Sequence, residues 1–203
     1  RTVLAQIAAE AHAARIDDVR TVLGDTERLP YAPNSWGSIT TASVGPAVRA
    51  AAEEAREHLF EAAAEMLDVD PATLESRSSV IRVRDTEVRS LTFAEVTEQL
   101  GDIMIIGQGS RGPNPERTAI SAFGAQFAEV EVDMDTGRVR VLRIVAAHDS
   151  GRIINPTLAE SQLEGGILQG MGYALFEERI LDEGLGMFGN RHGMLGAGRF
   201  QAA

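Results

Sequence analysis

Residues 2 to 14 place Val3, Leu4, Ile7, Ala8 and Ala11 at helical spacing in an alanine-rich run, which predicts an amphipathic helix. Val19 to Leu23 reads as a short strand, and Gly24-Asp25-Thr26 ends it. Residues 27 to 43, with Pro30, Pro33, Asn34, Gly37 and several Ser and Thr, form a long loop. From Pro46 to Leu67 runs a long helix. Pro46 suits its first turn, and Val48, Ala51, Ala52, Ala55, Leu59, Ala62, Ala63 and Met66 supply its apolar face. Asp70-Pro71 opens a short turn or helix ending near Ser76, and Val80 to Arg84 is a strand. Thr92 and Glu95 have the spacing of a capping box in front of another short helix. Ile103 to Ile106 is a brief strand, and residues 107 to 119 form a second long loop.

The plainest pattern is a hairpin. Phe127, Val130 and Val132 interleave with Glu129, Glu131 and Asp133; Asp135-Thr136-Gly137 turns the chain; Arg138-Val139-Arg140-Val141 alternates on the way back. Acidic residues of the first arm face Arg of the second. Asn155-Pro156 then starts a helix running to about Glu178. Helices and strands alternate irregularly around at least one antiparallel hairpin. The expected fold class is α+β, with helices packed on a mixed or antiparallel sheet. No linker or internal repeat stands out, so residues 1–182 read as one domain. Residues 183–203, with six glycines and little periodicity, read as a flexible or atypical C-terminal tail.

Composition narrows the function classes. The 203 residues include no Cys, which excludes disulfides, a thiol nucleophile and Cys-ligated zinc or iron–sulfur centres within this chain. All 19 basic residues are Arg, which excludes a Schiff-base lysine and a phosphate-loop lysine. The net charge of −11 argues against a nucleic-acid partner, and no apolar run reaches membrane-spanning length. The sequence carries no address for a compartment; the cytoplasm is expected, with the periplasm as the alternative.

Three segments could carry chemistry. Gly37-Ser38-Ile39-Thr40-Thr41-Ala42-Ser43 brings small hydroxyl residues and open main-chain N–H groups to a helix start, which suits an anion or serves as an ordinary cap. Ser161 to Gly172 holds Gly165, Gly166, Gly170 and Gly172, costing the helix about 3 to 4 kcal/mol relative to Ala. Gly166 and Gly170 share a face, and so do Gln162 and Gln169. Such a stripe presents two uncharged amides to a flat heteroaromatic ligand, or it packs tightly on another helix. His148-Asp149 at a strand end is no triad, because adjacent strand residues point to opposite faces; Asp149 is expected to bond local amides. His12, His58 and His192 have no metal-ligand spacing. Tyr31 and Trp36 either stack on a ligand or anchor their loop. Asp133 and Asp135 are assigned to the hairpin turn.

Taken in order, Phe123 to Asp133, Asp135-Thr136-Gly137, Ala147 to Arg152, Asn155-Pro156 and Gln162 to Gly172 resemble the molybdopterin-binding large subunit of the xanthine dehydrogenase/aldehyde oxidase family. Ala5 to Glu10, Gly24 to Thr26 and Gly37 to Thr41 are similar to it too, so the resemblance covers about residues 1 to 182. Arg111-Gly112-Pro113 and Leu158 to Gln162 resemble the bacterial aldehyde dehydrogenase branch most. The resemblance implies a molybdenum hydroxylase, which inserts a water-derived oxygen at an electron-poor carbon of an aldehyde or N-heterocycle. It implies molybdopterin cytosine dinucleotide as cofactor, held by Gly37, Ser38, Thr40, Thr41, Gln162 and, more weakly matched, Gln169. Partners implied are the remainder of the large subunit, a 2Fe-2S subunit and an FAD subunit. The family's catalytic glutamate, in a Gly-x-Gly-Glu segment, has no match in these 203 residues. The chain is therefore expected to be a fragment, inactive alone, or a non-catalytic assembly module derived from such a subunit.

Overall fold

A computed structural model describes residues 1–25, 27, 29–85, 89–114, 116–117, 120–177, 180–182 and 187–189. The chain divides into two compact units, residues 1–118 and 119–203. The class is α+β.

In the first unit, helix α1 (Thr2–His12) packs on the long helix α2 (Thr40–Leu67). Gly45 makes the approach close: a Cβ there would lie 3.1 Å from Ile7 Cδ1. After a 3-10 turn at Pro71–Thr73 come strands β1 (Leu74–Arg77), β2 (Val80–Val83) and β3 (Ser90–Thr92), an antiparallel sheet in the order β1-β2-β3. Helix α3 (Phe93–Leu100) follows at once. Thr92 Oγ1 accepts from the Glu95 N–H, and the Glu95 carboxylate accepts from the Thr92 N–H, so the capping box forms as its spacing predicts. Leu59, Ala63 and Ala64 of α2, Leu74 and Ile81 of the sheet and Val96 of α3 close into a buried core, with Ile81 and Val96 fully enclosed.

Ser79 ties this unit together. Its N–H donates to Ala13 O (2.9 Å), its hydroxyl donates to Asp18 Oδ2 (2.7 Å) and accepts from the Arg15 N–H (2.9 Å), and its carbonyl accepts from the Phe93 N–H (2.9 Å). Four hydrogen bonds thus hold the β1–β2 turn, whose Ser78 and Ser79 both sit at positive φ, 51° and 64°.

In the second unit, β4 (Phe123–Val132) and β5 (Val139–Asp149) form the expected hairpin. The register puts Glu131 opposite Arg140 and Glu129 opposite Arg143, and both pairs make ion pairs, the second at 3.2 Å. The register shifts at Glu129/Val130, leaving one extra residue in β5, a bulge that bends the ribbon. Helix α4 (Pro156–Leu175) begins where Asn155-Pro156 predicts: Asn155 Oδ1 accepts from the Leu158 N–H at 2.9 Å. Strands β6 (Ile180–Asp182) and β7 (Met187–Gly189) pair antiparallel.

Several expectations change. Helix α2 starts at Thr40, not Pro46, and carries the proline inside; Gly45 before it lacks the Cβ that crowds a proline ring. The stretch 70–76 is a 3-10 turn running into β1, and Ser90–Thr92 is a third strand that the hydrophobic pattern does not mark. Val19 to Leu23 and Ile103 to Ile106 are not strands, because neither run has a ladder partner among the described residues. Every observed strand pairing is antiparallel. The tail expected over 183–203 lies outside the described residues except at 187–189, where there is a strand.

Candidate cofactor-binding site

The hydroxyl loop enters α2 through two consecutive left-handed residues, Gly37 (φ 56°) and Ser38 (φ 59°). Glycine adopts this freely, whereas serine there is strained. The N-cap position falls on Ile39, which makes no side-chain cap. The first-turn N–H groups, Thr40 and Thr41 among them, are left without the side-chain acceptor an ordinary cap supplies. Gly37, Ser38 and Thr41 are exposed and Thr40 is half-buried. The sequence brings these four residues together because they are neighbours, and the helix start turns them into a set of hydroxyl and N–H donors with the positive end of a helix dipole behind them.

Gln162 and Gln169 lie on α4, seven residues or about 10.5 Å apart along the axis. Both are exposed. Between them the helix face is bare: a Cβ at Gly165, Gly166 or Gly170 would meet nothing within 4 Å. The Gln169 amide donates to Tyr173 Oη at 3.0 Å, so its orientation is set by the next turn. Tyr173 continues the stripe 162–166–169–173 and was not singled out from the sequence, although its i+4 spacing from Gln169 would have found it.

Other candidates settle differently. Asp149 Oδ1 accepts from the Gly151 N–H at 2.9 Å, the local turn expected of it. The His148 ring lies over Gly124, where a Cβ would come within 2.7 Å of Nδ1, and its Nε2 meets the Gln126 amide at 3.2 Å. Tyr31 and Trp36 are 94% and 70% exposed, so they do not anchor their loop by burial. The carboxyl groups held below their ordinary range serve the fold. Glu95 is lowered by the Thr92 N–H and hydroxyl, and Asp133 by the Thr136 and Asp135 N–H groups of the hairpin turn. Among the described residues no group of three or more His, Asp or Glu is arranged to hold a metal ion, and no helix is long and apolar enough to cross a membrane.

These features define an α+β chain with an uncapped helix start in its first unit and a bare, amide-edged helix face in its second. The family model for the molybdopterin cofactor-binding domain matches residues 1–192. The chain is 32% identical over 189 residues to the gamma subunit of the 6-hydroxypseudooxynicotine dehydrogenase complex of Paenarthrobacter nicotinovorans, covering 90% of this chain and 24% of that protein. It is 35% identical over 198 residues to the aldehyde oxidoreductase molybdenum-binding subunit of Escherichia coli, covering 96% and 25%. Its structure is similar to that of a Cu,Mo-CO dehydrogenase, with a TM-score of 0.79 and 26% identity, over 100% of this chain and 26% of that one. The chain belongs to the molybdopterin cofactor-binding domain family, as found in the molybdenum-binding subunits of xanthine dehydrogenase and aldehyde oxidoreductase type. It spans about a quarter of the length of the curated relatives it matches.

Proposed function

We propose that this chain holds the dinucleotide-bearing molybdenum cofactor within the large subunit of a molybdenum hydroxylase that oxidises aldehydes or N-heterocycles with oxygen taken from water. When bound, the cofactor supplies two-electron oxidation at an electron-poor substrate carbon. The chain's own residues bind and orient it. Ser38, Thr40 and Thr41 donate hydroxyl and main-chain N–H bonds to phosphate oxygens, and Gly37 leaves room for the ligand to reach the main chain. Gln162 and Gln169 offer amides in one plane to the heteroatoms of the pterin edge, and the glycines between them allow a flat ring system to lie close.

The observation that carries this reading is the bare stripe of α4. A helix accepts four glycines at a cost of several kcal/mol, and three of them have open space where a side chain would stand. The missing cap at Ile39 supports it from the first unit. The cofactor form is molybdopterin cytosine dinucleotide, and the electrons leave through a 2Fe-2S subunit and an FAD subunit. With no Gly-x-Gly-Glu segment among its residues, this chain does not turn over alone.

The test is the molybdenum-to-protein ratio of the native complex, with pterin fluorescence after oxidation. A ratio near one is expected, and Gln162→Ala in the intact parent should lower it. A native 203-residue polypeptide with neither molybdenum nor pterin would replace this reading with a non-catalytic assembly module descended from such a subunit. Unchanged molybdenum content in the variant would remove Gln162 from the site.

A further inference from the structure

We infer that the unpaired run Ile103–Ile106 becomes a strand by taking up, through main-chain pairing, an extended apolar segment from the part of the large subunit outside this chain. The inference rests on the function proposed above, since it needs a parent subunit.

The run Ile103-Met104-Ile105-Ile106 has the composition of a strand and, among the described residues, no ladder partner. Among the described residues, the main-chain N–H and C=O groups of Met104, Ile105 and Ile106 make no hydrogen bond. Unpaired groups beside exposed β-forming side chains are what a sheet edge offers to another strand. Ile103, Met104 and Ile106 are 69%, 76% and 57% exposed, while Ile105 packs on the core of the first unit.

The run is also held ready. The next residues, Gly107 to Gly109, lie against α2 so closely that a Cβ at Gly107 would fall 2.0 Å from Ala51 O, and one at Gly109 2.2 Å from Ala47 O. The Gln108 N–H donates to the Glu54 carboxylate. At the other end the Ile103 N–H donates to Leu100 O (3.2 Å), closing α3. Both ends are fixed to helices and the middle is unpaired.

Beside the run is a groove of about 450 Å³, walled by Leu59, Phe93, Ile103 and Ile105 with His12 and Thr97 among its lining. Two of its polar side chains are already engaged. His12 Nδ1 donates to Ala52 O (3.1 Å), and the Thr97 hydroxyl donates to the carbonyls of Phe93 and Ala94 (3.0 Å each). What remains open is mainly apolar, and the Asp102 carboxylate in the lining disfavours an acidic neighbour. Added strands gain affinity from the main chain and selectivity from pockets for alternate side chains, and here the pocket selects aliphatic or aromatic ones. The length of chain available favours the same polypeptide as donor, since about three quarters of each curated relative lies outside the match. A second copy is disfavoured because it carries the same net charge of −11.

The experiment is residue-resolved amide hydrogen exchange on the intact molybdenum-binding subunit, with molybdenum content read on the same sample. In a ladder, successive N–H groups point to opposite sides. Either Met104 and Ile106, or Ile105 and Gly107, should therefore be slowed about 100-fold or more, with the alternate pair much less protected, independent of protein concentration. Exchange near the free-peptide rate at all four overturns the inference. Uniform slowing overturns it too, as coverage without pairing, and slowing that appears only as subunits dimerise assigns the edge to a second copy. Molybdenum present with fast exchange would end this inference alone; molybdenum absent with alternating protection would end only the proposed cofactor role.

Discussion

The two units solve the problem of burial differently. The first encloses Leu59, Ala63, Ala64, Leu74, Ile81 and Val96 among α2, α3 and a three-stranded sheet. The second has no buried residue among those described: every residue of β4 is exposed, and α4 buries none of its 20 residues. Phe123 and Phe127 are each 71% exposed, and the hairpin holds its shape through local devices: the Asp133 turn, two cross-strand ion pairs and backbone ladders. A two-stranded ribbon is at best marginal alone in water. The lesson is that the first unit's geometry rests on an enclosed core, while the second keeps its shape through local pairing and leaves its large apolar side chains exposed.

The largest test of this contrast is truncation in each unit. Ile81→Ala should cost about 2 to 5 kcal/mol in urea unfolding of the chain. Phe127→Ala should change it by less than about 0.5 kcal/mol, yet destabilise the intact subunit. Equal effects in the isolated chain would erase the distinction. Next comes the strap on α2. Gly109→Ala puts a methyl against main-chain atoms at 2.2 and 2.5 Å, and should cost about 1 to 3 kcal/mol with faster proteolysis near residue 108. Smaller is the cap of α3: Thr92→Ala should cost about 1 kcal/mol in the same denaturation.

The smallest effect separates the units by pH. Glu95 in the first unit and Asp133 in the second are both held below the ordinary carboxylate range. A lowered folded-state value adds stability that is present above the unfolded value and lost as pH falls through the folded one. Amide NMR on an acid titration should therefore show both the α3 start and the hairpin turn loosening only below about pH 4. In Asp133→Asn the turn should lose its acid dependence while the α3 start keeps it.

Much of this architecture is legible from periodicity. Helices α1 and α3, the hairpin and α4 follow from spacing, and the Thr92/Glu95 and Asn155-Pro156 signals mark their starts within a residue. The failures share a cause. Val19 to Leu23 and Ile103 to Ile106 have strand composition, but a strand exists only with a neighbour, and composition does not say where the neighbour is. The β1–β2 turn hides because Ser78-Ser79 replaces the usual Asn-Gly, its strained backbone being held by hydrogen bonds to residues far off in sequence. Pro46 misleads because a proline after glycine sits inside a helix more easily than most. Of the candidate site, residue types and helix spacing were readable. The absent cap at Ile39 and the open space over Gly165, Gly166 and Gly170 depend on backbone angles and on what lies near, which spacing does not encode.

The glycines along α2 should drift differently over evolutionary time. At Gly107 and Gly109 the obstacle includes main-chain atoms of α2, so no exchange of a neighbouring side chain makes room, and these positions can change only if the strap itself moves. At Gly45 the obstacle is the tip of Ile7. Shortening Ile7 to Val removes that atom, so lineages with alanine at position 45 should carry a smaller residue at position 7, the two substitutions travelling as a pair.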